Sequence, residues 1–148
     1  RRHHLLALAG GPYRGSLTNN EDVELFLRLL ARLPFRFCGC CVAEMRRVDT
    51  GLHRNYPRIL QQGMCLIDYL RSDPAVVAML GPALDRFEHL KLVEWAGYAA
   101  RIDCPEAFFR YSRHAWRRSW WRSLCSLKLW KNTVRMILRR LLKAGAGR

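Results

Sequence analysis

Apolar residues recur every three or four positions along most of this chain, in blocks separated by proline, glycine and short polar clusters. Val23, Phe26, Leu27, Leu30 and Leu33 form the first block, spaced as one face of a helix. Ahead of it, Thr18 and Glu21 have the spacing of a capping box, in which each side chain satisfies the other's exposed amide. Pro34 ends the block, because proline lacks an N–H and restricts the residue before it. A second helix is expected over 36–48, stopped by Asp49, Thr50 and Gly51. A third takes Asn55 as its cap, carries Pro57 in its first turn and continues through Ile59, Leu60, Met64, Ile67 and Leu70. Asp73 and Pro74 repeat that cap-then-proline pattern and open a short helix to Leu80, which Gly81 and Pro82 break. A longer helix is expected from Ala83 to about Ile102, with Leu84, Phe87, Leu90, Leu92, Val93 and Trp95 available for burial. Asp103, Cys104 and Pro105 start the last helical region, expected to reach Lys143.

No segment sustains alternation at period two, so strands are not expected. The connections are short, which favours antiparallel neighbours. The pattern predicts an all-α protein: antiparallel helical hairpins, α-solenoid-like, followed by a long basic C-terminal helix. Four parts are expected. Residues 1–17, with Gly10, Gly11, Pro12 and Gly15, form an arm; 18–103 form the hairpin body; 104–143 form the basic helical segment; 144–148 form a tail.

Charge sharpens this picture. The net charge of +14 is a self-repulsion that a polyanion relieves. Its distribution is uneven: residues 101–148 carry 13 Lys/Arg against 2 Asp/Glu, whereas residues 1–100 carry 13 against 10. A hydrophobic fraction of 50% excludes a disordered polycation, whose apolar content would not offset chain entropy. No apolar run approaches the ~18 residues of a membrane span.

The basic segment interleaves cations with aromatics. Arg110, Arg113, Arg117, Arg118 and Arg122 alternate with Tyr111, Trp116, Trp120 and Trp121, and Lys128, Lys131, Arg135, Arg139, Arg140 and Lys143 follow. On one continuous helix, Trp116, Trp120, Leu124, Leu127, Val134, Leu138 and Leu141 make an apolar stripe, expected to dock on protein. Lys128, Lys131, Arg135, Arg139 and Lys143 make a separate row for phosphates. These eleven cations are the expected RNA-binding residues. Arg forks onto phosphate oxygens, and Trp can stack on unpaired bases. The competing reading is a solvated basic face with most tryptophans in the core. A second competitor is an interfacial helix on acidic lipid.

Other chemistry is sparse. Cys38, Cys40 and Cys41 invite a zinc reading, but structural zinc needs a second ligand pair, and only His53 and Cys65 remain to supply it. The six cysteines are read instead as reduced, mostly buried thiols. His89 and His114 are isolated, and no phosphate-binding loop or nucleophile elbow is present. No catalytic residue, metal or cofactor is expected.

The stretch from Glu21 through Leu25, Leu29, Leu30, Ala31, Leu33 and Pro34 to Arg36 resembles the leucine-rich hairpin pattern of organellar helical-repeat proteins, the octotricopeptide and FAST-kinase-like families. The resemblance extends over about residues 18–100. It implies RNA binding or processing in mitochondria or chloroplasts, or a place in an organellar ribosome. The C-terminal segment does not resemble the small α/β nuclease-like domain that ends some of those proteins. The expectation is therefore a non-catalytic RNA-binding or structural subunit of an organellar ribonucleoprotein, with a mitochondrial ribosome or RNA-processing complex leading. It would reside in the mitochondrial matrix. RNA, ribosomal RNA foremost, would be held through backbone phosphates, and neighbouring proteins would contact Phe35, Phe37, Tyr69 and Trp95. Membrane contact is not expected under this reading. It belongs to the alternative, a supernumerary subunit of an organellar membrane complex docking on acidic lipid and protein.

Overall fold

A computed structural model describes residues 17, 20–34 and 55–145, the last three as backbone only. The helix expected over 36–48, together with Phe35, Phe37, Cys38, Cys40, Cys41 and His53, lies outside the described residues. Among the described residues the protein is all-helical, with seven helices and no strand. The chain divides into two compact units, Arg1–Gly81 and Pro82–Arg148.

The first unit contains α1 (Glu21–Leu30), α2 (Tyr56–Ser72) and α3 (Pro74–Leu80). Helix α1 starts later than the capping-box spacing suggests. Asn20 is its cap, at φ 61° and with no side-chain capping bond, and Thr18 is outside the described residues. Glu21, Asp22 and Glu24 occupy the first turn, where the helix dipole favours acids. The buried side of α1 is not the expected leucine face. Glu24 and Arg28 are each 1% exposed and pair at 2.8 Å, whereas Phe26 is 57% exposed. Taken together in the interior, each charge supplies the partner that makes burial of the other tolerable.

The local signals for α2 and α3 are those expected. The Asn55 side chain accepts from the Arg58 amide at 3.3 Å, and Ile59, Leu60, Leu66, Ile67 and Leu70 are buried. The Asp73 carboxylate caps α3, accepting from the Ala75 and Val76 amides. Both its oxygens also accept from one Arg32 nitrogen, each at 2.8 Å. Arg32 holds the Arg28 carbonyl as well, so α1 is tied to the start of α3. Burial pushes the Asp73 carboxyl up, but the Arg32 guanidinium and the two amides outweigh it and hold the group below its ordinary value. The sign follows from linkage: a depressed carboxyl stabilises the fold above the unfolded-state value, and that contribution disappears as pH falls through the folded one. Asp73→Ala is expected to cost about 1–2 kcal/mol at neutral pH. The deficit should vanish in acid, as read by urea midpoints of the two proteins across pH.

Gly81 closes α3 at φ 47° and ψ −127°, a conformation that a side chain strongly disfavours, and Pro82 follows as the first residue of the next helix.

The second unit contains α4 (Pro82–Arg101), α5 (Pro105–Arg118), α6 (Trp120–Leu124) and α7 (Leu127–Gly145). The turn expected to end the body at 103 lies inside this unit. Asp103 is left-handed, the Cys104 amide bonds back to the Ala99 carbonyl, and α5 returns along α4. Helix α4 is central because it is apolar on more than one side. Leu84, Leu92, Val93 and Trp95 are buried, and Ala96, Ala99 and Ala100 let neighbouring helices approach closely. Helix α5 buries Ala107, Phe108, Tyr111 and Ala115, and the Tyr111 ring lies 5.5 Å from the Trp95 ring.

The single long helix expected over 104–143 is instead three. Ser119 adopts extended dihedrals (φ −158°, ψ 88°) and separates α5 from α6. Ser126 then opens α7, its hydroxyl accepting from the Leu129 amide at 3.3 Å. Ser at such a position competes with helix continuation by offering its own oxygen to an unpaired amide. Breaking the helix also breaks the expected stripe. Helix α7 meets α4 with Leu129, Asn132 and Met136, while Trp120, Leu124, Leu127, Val134, Leu138 and Leu141 are exposed. Among the tryptophans, only Trp95 is fully buried; Trp116 is half-buried, and Trp120, Trp121 and Trp130 are exposed. Trp95 is therefore a core residue and offers no docking surface.

Candidate nucleic-acid interface

Helices α4 and α7 make a recess of about 190 Å³ lined by Glu94, Gly97, Tyr98, Arg101, Lys128, Lys131, Asn132 and Arg135. Gly97 makes this close approach possible. A β-carbon there would stand 3.0 Å from the buried Asn132 amide nitrogen and 3.6 Å from Lys128 Cε. Lys128, Lys131 and Arg135 follow one another at spacings of three and four on α7, so they project along one edge. Arg101 joins them from the last turn of α4, with its guanidinium 5.7 Å from the Tyr98 ring centre.

One acid sits among these cations. Glu94 accepts from the Tyr98 hydroxyl and from Lys91 Nζ, the latter at 3.1 Å. Burial pushes its carboxyl up, but those two donors and the charges of Lys91 and Lys128 outweigh it and hold the group below its ordinary value. Glu94 is thus an ionised group partly neutralised by Lys91. Four cations against one shared anion leave the recess electropositive, with donors in several directions. Such an arrangement suits phosphate oxygens.

The other expected contacts divide by their surroundings. Arg118 bridges Asp85 and Glu88 at 2.9 Å each, fastening the end of α5 to the start of α4. Arg139 donates to the Ala100 carbonyl at 2.8 Å, satisfying one of the carbonyls left open at the end of α4. Both are structural ties rather than parts of a free row. Arg140 lies over the Phe109 ring at 5.3 Å, and Arg110 lies over Tyr111 at 5.0 Å. Arg113 lines a second recess with Phe109, Trp116 and Thr133, and Arg117 is exposed on α5. The side chain of Lys143 lies outside the described residues.

Arg122 faces a third recess, of about 460 Å³, with Arg86, His89, Leu90, Val93, Cys125 and Ser126. His89 is buried there. Burial lowers its basicity against a hydrogen bond with the Ala115 backbone, and the Arg122 charge lowers it further. Cys125 is an exposed free thiol, unlike the buried cysteines expected, and Cys65 and Cys104 are half-buried. No group of three or more metal-binding side chains occurs among the described residues.

Sequence reasoning missed Arg101, Asn132 and Gly97. Arg101 reads as an ordinary helix end, and Asn132 as a polar interruption in a basic helix. The available signal was Gly97, a helix-interior glycine with no turn to justify it, which marks a close approach. No protein-family model matches the chain, and no curated protein or solved structure shows significant similarity to it.

Proposed function

We propose that this protein binds RNA through backbone phosphates, as a non-catalytic subunit of an organellar ribonucleoprotein. A mitochondrial ribosome is the leading case and an RNA-processing complex the next. The observation that carries the reading is the meeting of Arg101 from α4 with Lys128, Lys131 and Arg135 from α7 around one recess. Two helices distant in sequence place four cations where one phosphate run can reach them. The antiparallel-hairpin, solenoid-like architecture of the body belongs to this proposal too, as the scaffold that would dock on neighbouring proteins. Contacts of this type position a nucleic acid without reading its bases, so sequence preference should be weak.

Salt titration of binding to a single-stranded RNA tests the reading. Each phosphate neutralised on a single strand contributes about −0.7 to the slope of log K against log salt. Three or four contacts predict a slope of about −2 to −3. A slope near zero, or no binding at low salt, contradicts the proposal.

A further inference from the structure

The side of α7 that faces away from α4 is apolar. Leu127, Val134, Leu138 and Leu141 lie along it at helical spacing, with Leu127 at 85% exposure. Trp130 flanks them on α7, and on the neighbouring α6 Trp120 and Trp121 are exposed at 62% and 60%, with their rings edge-to-face at 5.4 Å. Monomeric proteins rarely leave so continuous an apolar surface in water, and one of this extent marks an interaction site. Phosphate binding does not account for it. Aliphatic side chains neither donate to phosphate oxygens nor stack on bases, so RNA in the recess would leave this face as wet as before.

What borders the stripe selects its occupant. Lys128, Lys131 and Arg135 run along one edge. On the other side, Arg140 lies against Phe109 of α5, and Arg113 lies beside Thr133 of α7. Helix α7 carries six Lys/Arg and no acid, and no acidic residue follows Glu106. A second copy of the chain would bring these cationic borders against each other. An acidic lipid surface meets both requirements at once: acyl chains take the leucines, and headgroup phosphates take the cations on either side. The exposed indoles of Trp120 and Trp121 suit the same depth, each an apolar body with a polar N–H. The Trp130 N–H donates instead to the Leu124 carbonyl at 2.8 Å, which leaves its ring on the surface. No described helix is long and apolar enough to cross a membrane, so the contact is with the surface.

We propose that the outward face of α6 and α7 lies flat in the headgroup layer of an anionic membrane. This does not require RNA binding: the aliphatic face lies outside the recess, and only the bordering row Lys128, Lys131 and Arg135 is common to the two readings.

The test is flotation of the ribonuclease-treated full chain with vesicles. One set is phosphatidylcholine alone; the other is phosphatidylcholine with a quarter phosphatidylglycerol. The chain should float with the anionic vesicles only, and its tryptophan emission should shift to the blue as Trp120, Trp121 and Trp130 leave water. Leu138→Gln combined with Leu141→Gln, which leaves the charge unchanged, should lower the floated fraction about tenfold, with circular dichroism unchanged because both positions are exposed. Absence of flotation overturns the proposal. Equal flotation of the double variant also overturns it, since charge alone would then account for binding. So does a parent dimer that the double variant makes monomeric, which would assign the face to a second copy. RNA affinity of the same double variant, measured without vesicles, should equal that of the parent; a loss there would count against the recess reading and not against this one.

Discussion

Changing Lys128, Lys131 and Arg135 together to Glu is expected to lower affinity for single-stranded RNA by on the order of a thousandfold at low salt. The size follows from the chemistry of the recess. A hydrogen bond between a cation and a phosphate contributes roughly 1.5–3 kcal/mol, and three such contacts on one strand overlap rather than add. Reversal also places like charge beside Glu94, which Lys128 now helps to hold ionised. A parallel change to Gln separates loss of attraction from added repulsion. Arg139 is left in place, because its bond to the Ala100 carbonyl makes it part of the fold. Circular dichroism should stay at the parental value, since Lys128 and Lys131 are exposed and Arg135 is at the rim of the recess. RNA binding by the Glu variant at parental strength would show that the recess is not the site.

Trp95→Ala should produce the largest loss of stability in the unit Pro82–Arg148. The Trp95 side chain is 1% exposed, lies against the fully buried Tyr111 ring at a tilt of 54°, and belongs to the helix that both α5 and α7 pack against. Removing it leaves a cavity among groups that cannot all close in, at a cost of about 3–5 kcal/mol. Whole domains are stable by only about 5–15 kcal/mol, so a large part of the unit's reserve goes with one side chain. Urea titration followed by circular dichroism should show the drop, with Leu90→Ala, at an exposed position on the same helix, as the control. Similar midpoints for the two variants would contradict the central role assigned to α4.

The parts of the fold that were legible in the sequence are those governed by neighbours in the chain. Asn55 with Pro57, Asp73 with Pro74 and Gly81 with Pro82 each set a helix boundary through bonds or dihedrals within a few residues. The last third was less legible for a physical reason. Neither Ser119 nor Ser126 interrupts the apolar periodicity, so three helices read as one. Which face of α7 is buried is decided by Gly97 and the alanines of α4, which admit Leu129, Asn132 and Met136. That choice turns a more apolar face outward, against what amphipathicity alone predicts. The cations of the recess were legible one by one on α7, but their meeting with Arg101 is a tertiary fact that spacing does not encode.

The interruptions at Ser119 and Ser126 also set the scale of any footprint. Unbroken from Pro105 to Gly145, the segment would be a rod of about 60 Å at ~1.5 Å per residue. Instead α7 ends after about 28 Å, and Lys128 to Arg135 span only about 10 Å of it. With phosphates about 3.4 Å apart along a stacked strand, the proposed RNA contact would take in a few consecutive nucleotides rather than an extended tract. Two small hydroxyl residues thus shorten what would be a continuous cationic rod, so that the charges of Lys128, Lys131 and Arg135 stand together on one helix of about five turns.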